Sequence, residues 1–432
     1  MSSFLICSTP VHGHVTPLLT VSRYLVQQGH RVRFLTGQRY AEAVRGTGAE
    51  FLALPATADY DDTDMNVAFP GRVGKTGVAA IRWDVSNIFL APAPAQIRAV
   101  DDAIVQEPVD AILVENMFIG AVGLLTRPRA ERPAVVSLGI IPLGVESRDT
   151  APFGLGILPK PGMLGRVRNA ILVVLTKNII FGGVQKQAEQ MMREATGQKL
   201  DGFFMSGASK ADAIVQFTVP GFEYTRGDLP DTVHFVGPMS RATKNDGPLP
   251  EWWSELDGSR PVVHVSQGTI ANTDYDELIT PTMTALADDD VLVVVSTGGR
   301  PVSTLPSPLP QNVRVAEYLP HDKLLPLTDV YVSNGGYGGV HYALEHGVPL
   351  VVAGATEDKA EVAARVEWTG AGVRLQTNRP TPEQVGAAVR RVLVAPSYSE
   401  QSKAIGAEIS ASSGLAGLET VLESLLLKTL RE

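Results

Sequence analysis

Residues 329–354 read DVYVSNGGYGGVHYALEHGVPLVVAG, and this stretch decides the fold. An apolar run ends at Ser333, four glycines follow by position 339, a segment with helical spacing comes next, and a second apolar run begins at Pro349. Because glycine adopts backbone torsions that other residues resist, the glycines predict a tight turn from strand to helix. Apolar runs that alternate with helices indicate a parallel sheet covered on both faces.

The same alternation occurs in both halves of the chain and predicts two α/β domains. The apolar runs are 3–9, 31–36, 50–55, 111–116 and 134–140 in the N-terminal half and 261–268, 291–298, 313–320, 329–336 and 349–354 in the C-terminal half. A stretch rich in Pro, Gly and charge, 235–260, separates the halves. We expect two doubly wound domains that face a cleft, because such sheets bind ligands beyond the carboxyl ends of their strands.

Domain boundaries and the first helix can also be predicted from this alternation. The expected units are an N-terminal domain, a linker, a C-terminal domain and a final amphipathic helix that crosses back to the N-terminal domain, at 1–220, 221–260, 261–410 and 411–432. The helix after the first strand should have Thr16 as its N-cap and Pro17 in its first turn, and it should end at Gly29.

Composition and charge exclude several classes of protein. The 432 residues include 37 Lys and Arg against 46 Asp and Glu, which gives a formal charge of -9 without a long run of one sign. Nucleic acid is not an expected partner, since binding it requires a basic face. The single cysteine, Cys7, allows neither a disulfide framework nor a cysteine-based zinc site. Because the chain starts without the basic region of a signal peptide, we expect a cytoplasmic protein. Its expected oligomeric state is a monomer or a homodimer.

Two long insertions, 56–92 and 145–205, interrupt the alternation in the N-terminal half. Long loops in compact domains often bind ligands, so their aromatic residues Trp83, Phe89 and Phe153 are candidates to shape a pocket for an apolar ligand. Ordinary packing explains each aromatic residue equally well.

The stretch 162–184 is the closest match to a membrane span, but basic residues interrupt it before the ~18–20 apolar residues that a span needs. No integral membrane segment is therefore expected. We interpret this stretch as an amphipathic helix that closes the pocket, with contact to a membrane surface as the alternative.

The loop after the first strand, PVHGHVTP at 10–17, places two histidines at the carboxyl end of a strand. A neutral imidazole there can act as a general base near pH 7. A metal held by His12 and His14 is the competing interpretation, but no third ligand is evident among the other histidines. Glu115 ends another strand, and if that strand neighbours the first, its carboxylate can accept a hydrogen bond from the imidazole.

The glycine-rich turn can also serve as a site for an anion, because bare backbone N–H groups and the helix dipole favour negative charge at a helix start. It matches neither the dinucleotide pattern G-x-G-x-x-G nor a P-loop. A further hypothesis is that a pair of acidic residues binds Mg²⁺ through a diphosphate. The candidate pairs lie in polar loop contexts that are more typical of solvated turns: Asp62 and Asp64, Asp274 and Asp276, Asp288 and Asp290.

Several motifs together resemble the UDP-glycosyltransferase superfamily, and in particular bacterial macrolide and natural-product glycosyltransferases. They are the H-G-H loop with the helix after it, FVGP before the linker, SQGT, YLPH and the segment 332–375. The resemblance covers most of the chain and implies the GT-B fold. It also implies transfer of a sugar with inversion and without metal or cofactor. The nucleotide sugar would bind in the C-terminal domain and the acceptor in the N-terminal domain.

By this resemblance, individual residues receive roles. His14 would be the base and Glu115 its partner, where relatives commonly have Asp. The donor-binding residues would be Gly268, Thr269, Tyr318, Leu319, His321, Asn334, Gly335, Gly336, Gly338, Gly339, Tyr342, Asp358 and Lys359. Within that set, Gly268 and Thr269 would contact the β-phosphate, Tyr318 would stack on the base, and Asp358 would contact the sugar. The acceptor-binding residues would be Trp83, Phe89, Asn116 and Phe153.

Five positions depart from the family pattern. The family usually has His at Asn334, Ser at Gly339, Glu at Tyr342, Gln at Lys359 and Asn at Glu361. Without a cation at position 334, the backbone N–H groups of the glycine turn are expected to hold the diphosphate. Without the Glu at 342, which usually accepts from the ribose hydroxyls, a dTDP-sugar becomes an alternative to a UDP-sugar. Lys359 would favour an acidic sugar unless it pairs with Glu357 or Glu361.

The sequence therefore predicts an inverting, metal-independent glycosyltransferase that moves a sugar from a UDP- or dTDP-sugar to a hydroxyl of an apolar small molecule, such as a polyketide, macrolide or phenolic compound. One alternative is a degenerate relative that binds a nucleotide or a partner without turnover, since five donor positions are altered. A nucleotide-sugar epimerase of similar architecture is the other, but an epimerase needs no acceptor pocket.

Overall fold

Two parallel β-sheets organise the chain, one in each half. The structure is a computed structural model that describes residues 1–239, 248–268 and 274–429. The strands of the first sheet are β1 (Ser3–Cys7), β2 (Arg31–Thr36), β3 (Glu50–Ala53), β4 (Ala111–Glu115), β5 (Ala134–Gly139), β6 (Ala213–Gln216) and β7 (Val233–Phe235). Those of the second are β8 (Val262–Ser266), β9 (Leu292–Ser296), β10 (Val313–Ala316), β11 (Val330–Ser333), β12 (Leu350–Ala353) and β13 (Gly372–Leu375).

Helices cover both sheets, as buried parallel strands require. In the first half they are α1 (His12–Gln27), α2 (Ala41–Arg45), α3 (Met65–Ala68), α4 (Gly77–Asp84), α5 (Ala93–Gln106), α6 (Val122–Leu125), α7 (Gly162–Leu175) and α8 (Gly182–Thr196). In the second half they are α9 (Ile279–Ala285), α10 (His321–Leu324), α11 (Tyr337–Glu345), α12 (Lys359–Thr369), α13 (Pro382–Val394), α14 (Pro396–Ala411) and α15 (Leu415–Thr429).

The strand order places a topological switch point in each sheet. The orders are β3-β2-β1-β4-β5-β6-β7 and β10-β9-β8-β11-β12-β13, with parallel pairing. The connections reverse direction between β1 and β4 in the first sheet and between β8 and β11 in the second. Ligands of doubly wound sheets bind at the carboxyl ends of such strand pairs. The predicted fold class, two doubly wound α/β domains, is confirmed.

Three strands and one boundary were not predicted. Each of the ten apolar runs contains a strand, but β6 (AIVQ), β7 (VHF) and β13 (GVRL) were missed, because a polar residue interrupts or ends each of these short runs. Since β7 pairs with β6 in the first sheet, residues 221–235 belong to the N-terminal unit and the predicted linker start at 221 is too early.

The first helix begins earlier than its sequence predicts. Helix α1 starts at His12 with Val11 at the N-cap, so Pro17 lies inside the helix and Thr16 is not its cap. A proline in a helix removes one backbone donor. Tertiary hydrogen bonds hold the extra turn: the His12 N–H donates to Asp62 at 2.6 Å, and the His14 side chain is bonded to Glu115.

The two insertions pack on each other at the carboxyl end of the first sheet. Each contains a π-helical segment, Val85–Leu90 and Thr176–Ile180, and both contribute to one apolar cluster around Phe181 and Phe204. Among the described residues, no single helix is long and apolar enough to cross a membrane. One pair, Gly162–Ile180 with Gly182–Thr196, passes by length and composition together but is bent by 68°.

Helix α15 packs against the N-terminal sheet although it ends the chain. Leu418 and Leu422 are fully buried in the core cluster that contains Phe4 and Phe34. On the same helix, the Glu419 carboxylate accepts a hydrogen bond from the Tyr24 hydroxyl at 2.7 Å. The last helix therefore contributes to the stability of the first domain.

Replacing Leu418 with Ala should lower the free energy of unfolding by about 3 kcal/mol, because it removes a buried side chain and leaves a cavity in the N-terminal core. Leu427→Ala is the matched control on the same helix. Leu427 is 56% exposed, so its loss should change stability by less than about 0.5 kcal/mol. Urea unfolding of both variants measures this, and equal midpoints would show that α15 does not stabilise the domain.

Candidate active site

His14 and Glu115 meet at the switch point of the first sheet. Glu115 ends β4 and is buried, and His14 lies in the first turn of α1, directly after the neighbouring β1. The His14 Nδ1 lies 2.9 Å from Glu115 Oε2. The carboxylate also accepts from the Thr9 N–H at 3.1 Å and the Met117 N–H at 2.6 Å. Because a carboxylate only accepts, the Nδ1 carries the proton and the Nε2 of a neutral ring is left as a base.

The charges around this pair set their protonation. Burial favours the neutral form of the imidazole, but the charge and the hydrogen bond of Glu115 outweigh it, so the pKa of His14 is raised above its ordinary value. Burial opposes ionisation of Glu115 too, yet His14 and two backbone N–H groups hold the pKa of this carboxyl below its usual range. Asp358 and Glu357 of the C-terminal half also raise the pKa of His14. The two halves therefore place charged groups close together at the cleft.

His12 has a different environment from His14. Its backbone N–H donates to Asp62, and its Nε2 lies 3.5 Å from the Thr16 hydroxyl. Asp62 is buried and also accepts from Tyr40 and Arg39. The prediction that Asp62 belongs to a solvated turn is therefore wrong, because its buried carboxylate binds the backbone N–H of His12 in the histidine loop. The described residues contain no group of three or more His, Cys, Asp or Glu side chains arranged to hold a metal ion.

The glycine-rich turn lies at the switch point of the second sheet, between β11 and α11. Gly335 has φ +88, and a side chain there would meet Val352 at 3.0 Å, so this position requires glycine. The Asn334 amide does not simply face a ligand: its Nδ2 donates to the Gln267 carbonyl at 2.5 Å and its Oδ1 accepts from the Gly336 N–H at 3.3 Å. Asn334 thus ties the turn to the end of β8, next to Gly268. Thr269 lies outside the described residues.

Helix α11 begins at Tyr337, earlier than expected, and Gly336 is its N-cap. The first-turn glycines Gly338 and Gly339 differ in how much space a side chain would have at each position. A side chain at Gly338 would meet nothing within 4 Å, whereas one at Gly339 would lie 3.2 Å from the Tyr331 hydroxyl. The helix start is therefore bare on the side of Gly338, as an anion site at a helix N-terminus requires.

Tyr337 explains why a large residue interrupts the glycines. Its side chain is buried, and its hydroxyl accepts from Gln216 Nε2 at 3.1 Å, at the carboxyl end of β6 in the other half. One helical turn later, His341 Nε2 lies 2.7 Å from the Thr218 hydroxyl. Burial lowers the pKa of His341 to about 4, so the ring is neutral. Its Nδ1 donates to the Tyr337 carbonyl at 2.8 Å, which leaves Nε2 to accept from the Thr218 hydroxyl. Two buried polar contacts thus join the glycine turn to the N-terminal domain.

Asp358 and Lys359 lie at the start of α12, after β12. Lys359 Nζ forms an ion pair of 2.9 Å with Glu357, a residue held at φ +55. The alternative that Lys359 pairs with Glu357 is confirmed, so its charge is already compensated. Burial and the neighbouring Glu357 raise the pKa of Asp358 to about 6.

The predicted nucleoside-binding residues Tyr318, Leu319 and His321 lie just before α10 and at its first position. Tyr318 is 60% exposed and Leu319 is buried. His321 packs between aromatic rings, with its centroid 5.5 Å from that of Tyr342 and 6.3 Å from that of Tyr331. Burial lowers the pKa of His321 to about 4, so the ring is neutral. Of these side chains, Tyr318 has the face available to stack on a base.

A cavity opens beyond the carboxyl ends of β4 and β5. Its walls are formed mainly by Asn116 and Met117 after β4, residues 141–147 and 150–153 after β5, and side chains from the stretch 173–209. The last group comprises Val173, Thr176, Lys177, Phe181, Phe203, Met205, Ser206 and Ser209. The lining is mostly apolar, with an ion pair between Lys177 and Glu146 at 2.8 Å. Such a lining is typical of a site for a small apolar ligand.

The predicted acceptor residues divide between the cavity and its surroundings. Asn116 and Phe153 line it, and Phe89 lies beside the base, with 5.8 Å between its ring centroid and that of His14. Trp83 does not line the cavity, because it packs against Phe69 and over Gly71 within its own insertion. Helix α7 contributes Val173 to the wall, so the interpretation of 162–184 as a segment that closes the pocket agrees with the structure.

Two doubly wound domains that face a cleft, with an imidazole–carboxylate pair at one switch point and a glycine turn at the other, have the architecture of the GT-B fold. Residues 280–422 match the family model described as the erythromycin biosynthesis protein CIII-like C-terminal domain. The chain is 39% identical to 4'-demethylrebeccamycin synthase from Lentzea aerocolonigenes over 98% of its length and 99% of that protein.

Further comparisons agree. UDP-glycosyltransferase 2 from Phaeomoniella chlamydospora is 33% identical, over 98% of this chain and 95% of that one. The crystal structure of the glycotransferase of kitacinnamycin superimposes with a TM-score of 0.73, at 22% identity and with 98% of each chain covered. The chain belongs to the UDP-glycosyltransferase superfamily, among the natural-product glycosyltransferases, and it is an enzyme that transfers a sugar.

Glu115→Gln should move the acid limb of the pH profile for kcat/KM to lower pH. The base must be neutral, so activity rises as pH passes the pKa of His14; Glu115 raises that pKa, and its removal lowers it. We also expect kcat to fall by about tenfold or more, because the ring loses the group that orients it. The exposed Glu131→Gln is the control and should keep the wild-type profile. An unshifted acid limb in Glu115→Gln would contradict the assignment of this pair.

Proposed function

We propose that the protein is an inverting glycosyltransferase that moves a sugar from a nucleoside-diphosphate sugar to a hydroxyl of an apolar small molecule. The observation that carries the proposal is the His14–Glu115 pair, which leaves an imidazole nitrogen as a base, while Asn116, the residue directly after Glu115, lines a cavity for such a molecule. In this mechanism His14 Nε2 takes the proton of the acceptor hydroxyl. The oxygen attacks the anomeric carbon, and the bond from that carbon to the diphosphate breaks, with its electron pair leaving on the phosphate.

The diphosphate would lie at the start of α11. The bare backbone at Gly338 and the helix dipole favour an anion there, and Gly268 of the neighbouring β8 end lies next to Asn334. Asn334 keeps this loop in place and uses one amide hydrogen for that contact. Backbone N–H groups would then stabilise the leaving charge without reorganisation.

The proposal includes independence from metal ions. One feature supports it: the N-terminus of α11 lies at the proposed diphosphate position, where backbone N–H groups and the helix dipole favour an anion. Lys359 is paired with Glu357, and Asp358 adds a second carboxylate beside it. A neutral sugar therefore fits this end of the cleft better than a uronic acid.

The acceptor class is proposed from the cavity and from the relatives. The walls contain Phe153, Phe181 and Phe203 with a few polar groups, which suits a polyketide, macrolide or phenolic ring system. The relatives include a rebeccamycin synthase, which is named for a natural product. Asn116 directly follows Glu115, the partner of the base, and lines the cavity, and we propose that it orients the acceptor.

His14→Ala should lower kcat by about 10²–10⁴-fold while the Kd for the nucleotide changes by less than about twofold, because the base acts on the acceptor and lies in the other domain. His12→Ala is the matched control, two positions away, and should retain near wild-type transfer. Product formation from UDP-glucose and a panel of phenolic and macrolide hydroxyl compounds measures kcat. Transfer at the wild-type rate in His14→Ala would show that another group is the base.

Calorimetric titration with UDP, dTDP, GDP and ADP in the presence of EDTA should give binding of UDP or dTDP without added metal. A preference for dTDP would link Tyr342 to selection of deoxyribose, and Tyr342→Glu should then shift the preference toward UDP by about tenfold. A preference for UDP makes UDP-hexoses the first donors to assay. If no nucleotide binds, the proposed donor site is wrong.

A further inference from the structure

Glu361 of α12 reaches across the cleft into the N-terminal domain. Its carboxylate is buried, and Oε1 accepts from the backbone N–H of Gly154 at 2.9 Å and of Gly156 at 2.8 Å. The second oxygen, Oε2, accepts from Arg365 Nη1 at 2.9 Å. Charge-assisted hydrogen bonds of this kind are about twice as strong as neutral ones. Both carboxylate oxygens of Glu361 are therefore engaged, one with the backbone of the turn at 154–156 and the other with Arg365.

The turn at 154–156 is shaped around this carboxylate. Gly154 and Gly156 have φ +94 and +56, a region that favours glycine, and this conformation points both N–H groups at one oxygen. A side chain at Gly156 would lie 2.8 Å from the Ala360 carbonyl of α12, so the turn touches the helix. Arg374 of β13 donates to the Gly156 carbonyl at 2.6 Å, which holds the turn from its other side.

Arg365, also on α12, contacts the other end of the loop between β5 and α7, residues 140–161. It is buried, pairs with Glu223 at 3.0 Å and lies over the Tyr224 ring at 4.3 Å. Its Nη2 also lies 3.4 Å from the Leu143 carbonyl. One turn of α12 therefore contacts the loop near both of its ends, at Leu143 and at Gly154.

The loop 140–161 forms one wall of the cavity. Helix α12 begins next to the residue that is proposed to contact the donor sugar. Residues 143–147 and 150–153 line the cavity, and Phe153 directly precedes Gly154. Asp358 lies at the N-cap of α12, three residues before Glu361. One helical turn thus separates the proposed sugar contacts from the group that fixes the cavity wall.

We propose that Glu361 is a positioning residue that fixes the acceptor wall from the donor domain and so determines acceptor affinity. The inference rests on the proposed function, in which this cavity binds the acceptor.

The test uses full-length Glu361→Gln and Gly154→Ala. The first removes the charge and keeps the shape; the second strains the turn at φ +94 without altering the buried charges. The exposed Glu400→Gln is the matched control for the loss of one carboxylate. Three readouts are compared: hydrogen exchange of the peptide covering 150–156, the affinity and KM for the fluorescent phenol 4-methylumbelliferone, and the Kd for UDP and dTDP.

In both variants we expect faster exchange of this peptide and an increase of about tenfold in the Kd and KM for the phenol, while nucleotide Kd values change less than about twofold. The control should match wild type. Faster exchange with an unchanged phenol Kd would overturn the proposal, since the contact would then be structural only. Weaker nucleotide binding in both variants would also overturn it. A wild-type protein that neither binds nor glycosylates the phenol, nor any other hydroxyl compound tested, would instead contradict the proposed function.

Discussion

The parallel pairing of β1 with β4 is the constraint on which the active site depends. Because Cys7 pairs with Val114, the loop after β1 and the last residue of β4 emerge side by side at the carboxyl edge. That register places Glu115 under the first turn of α1, where it bonds both the His14 ring and the loop backbone at Thr9. A buried carboxylate needs several such donors to remain ionised.

The second sheet repeats this arrangement with different chemistry, and buried polar contacts fix the two sheets relative to each other. Asn334 links the ends of β11 and β8, as Glu115 links those of β4 and β1. Tyr337 and His341 of α11 then bond Gln216 and Thr218. Buried polar groups of this kind are costly when unpaired, so they favour one relative position of the domains. The helix that follows the glycine turn is thereby held by the domain that contains the cavity.

Much of this fold could be predicted from sequence, since buried parallel strands are apolar throughout and each of the ten predicted runs contains a strand. The pairing of His14 with Glu115 could be stated only on the condition that β4 neighbours β1, which the strand order now satisfies. The cavity lining was beyond sequence reasoning, because the insertions contain π-helical segments and irregular loops with no single period. A contact between residues as distant in the sequence as Glu361 and Gly156, 205 positions apart, produces no local sequence pattern from which it could be predicted.

The charges of the cleft favour the state in which the base holds the transferred proton. In the proposed reaction, His14 becomes an imidazolium while negative charge develops on the leaving diphosphate. Glu115 bonds the ring directly, and Glu357 and Asp358 of the other domain also raise the pKa of His14. The imidazolium is thus stabilised from both halves, but only when the domains lie close enough for α12 to face α1. Proton transfer and domain position are therefore coupled through the same carboxylates, and the buried contacts of α11 and α12 with the N-terminal domain hold that geometry before the substrates arrive.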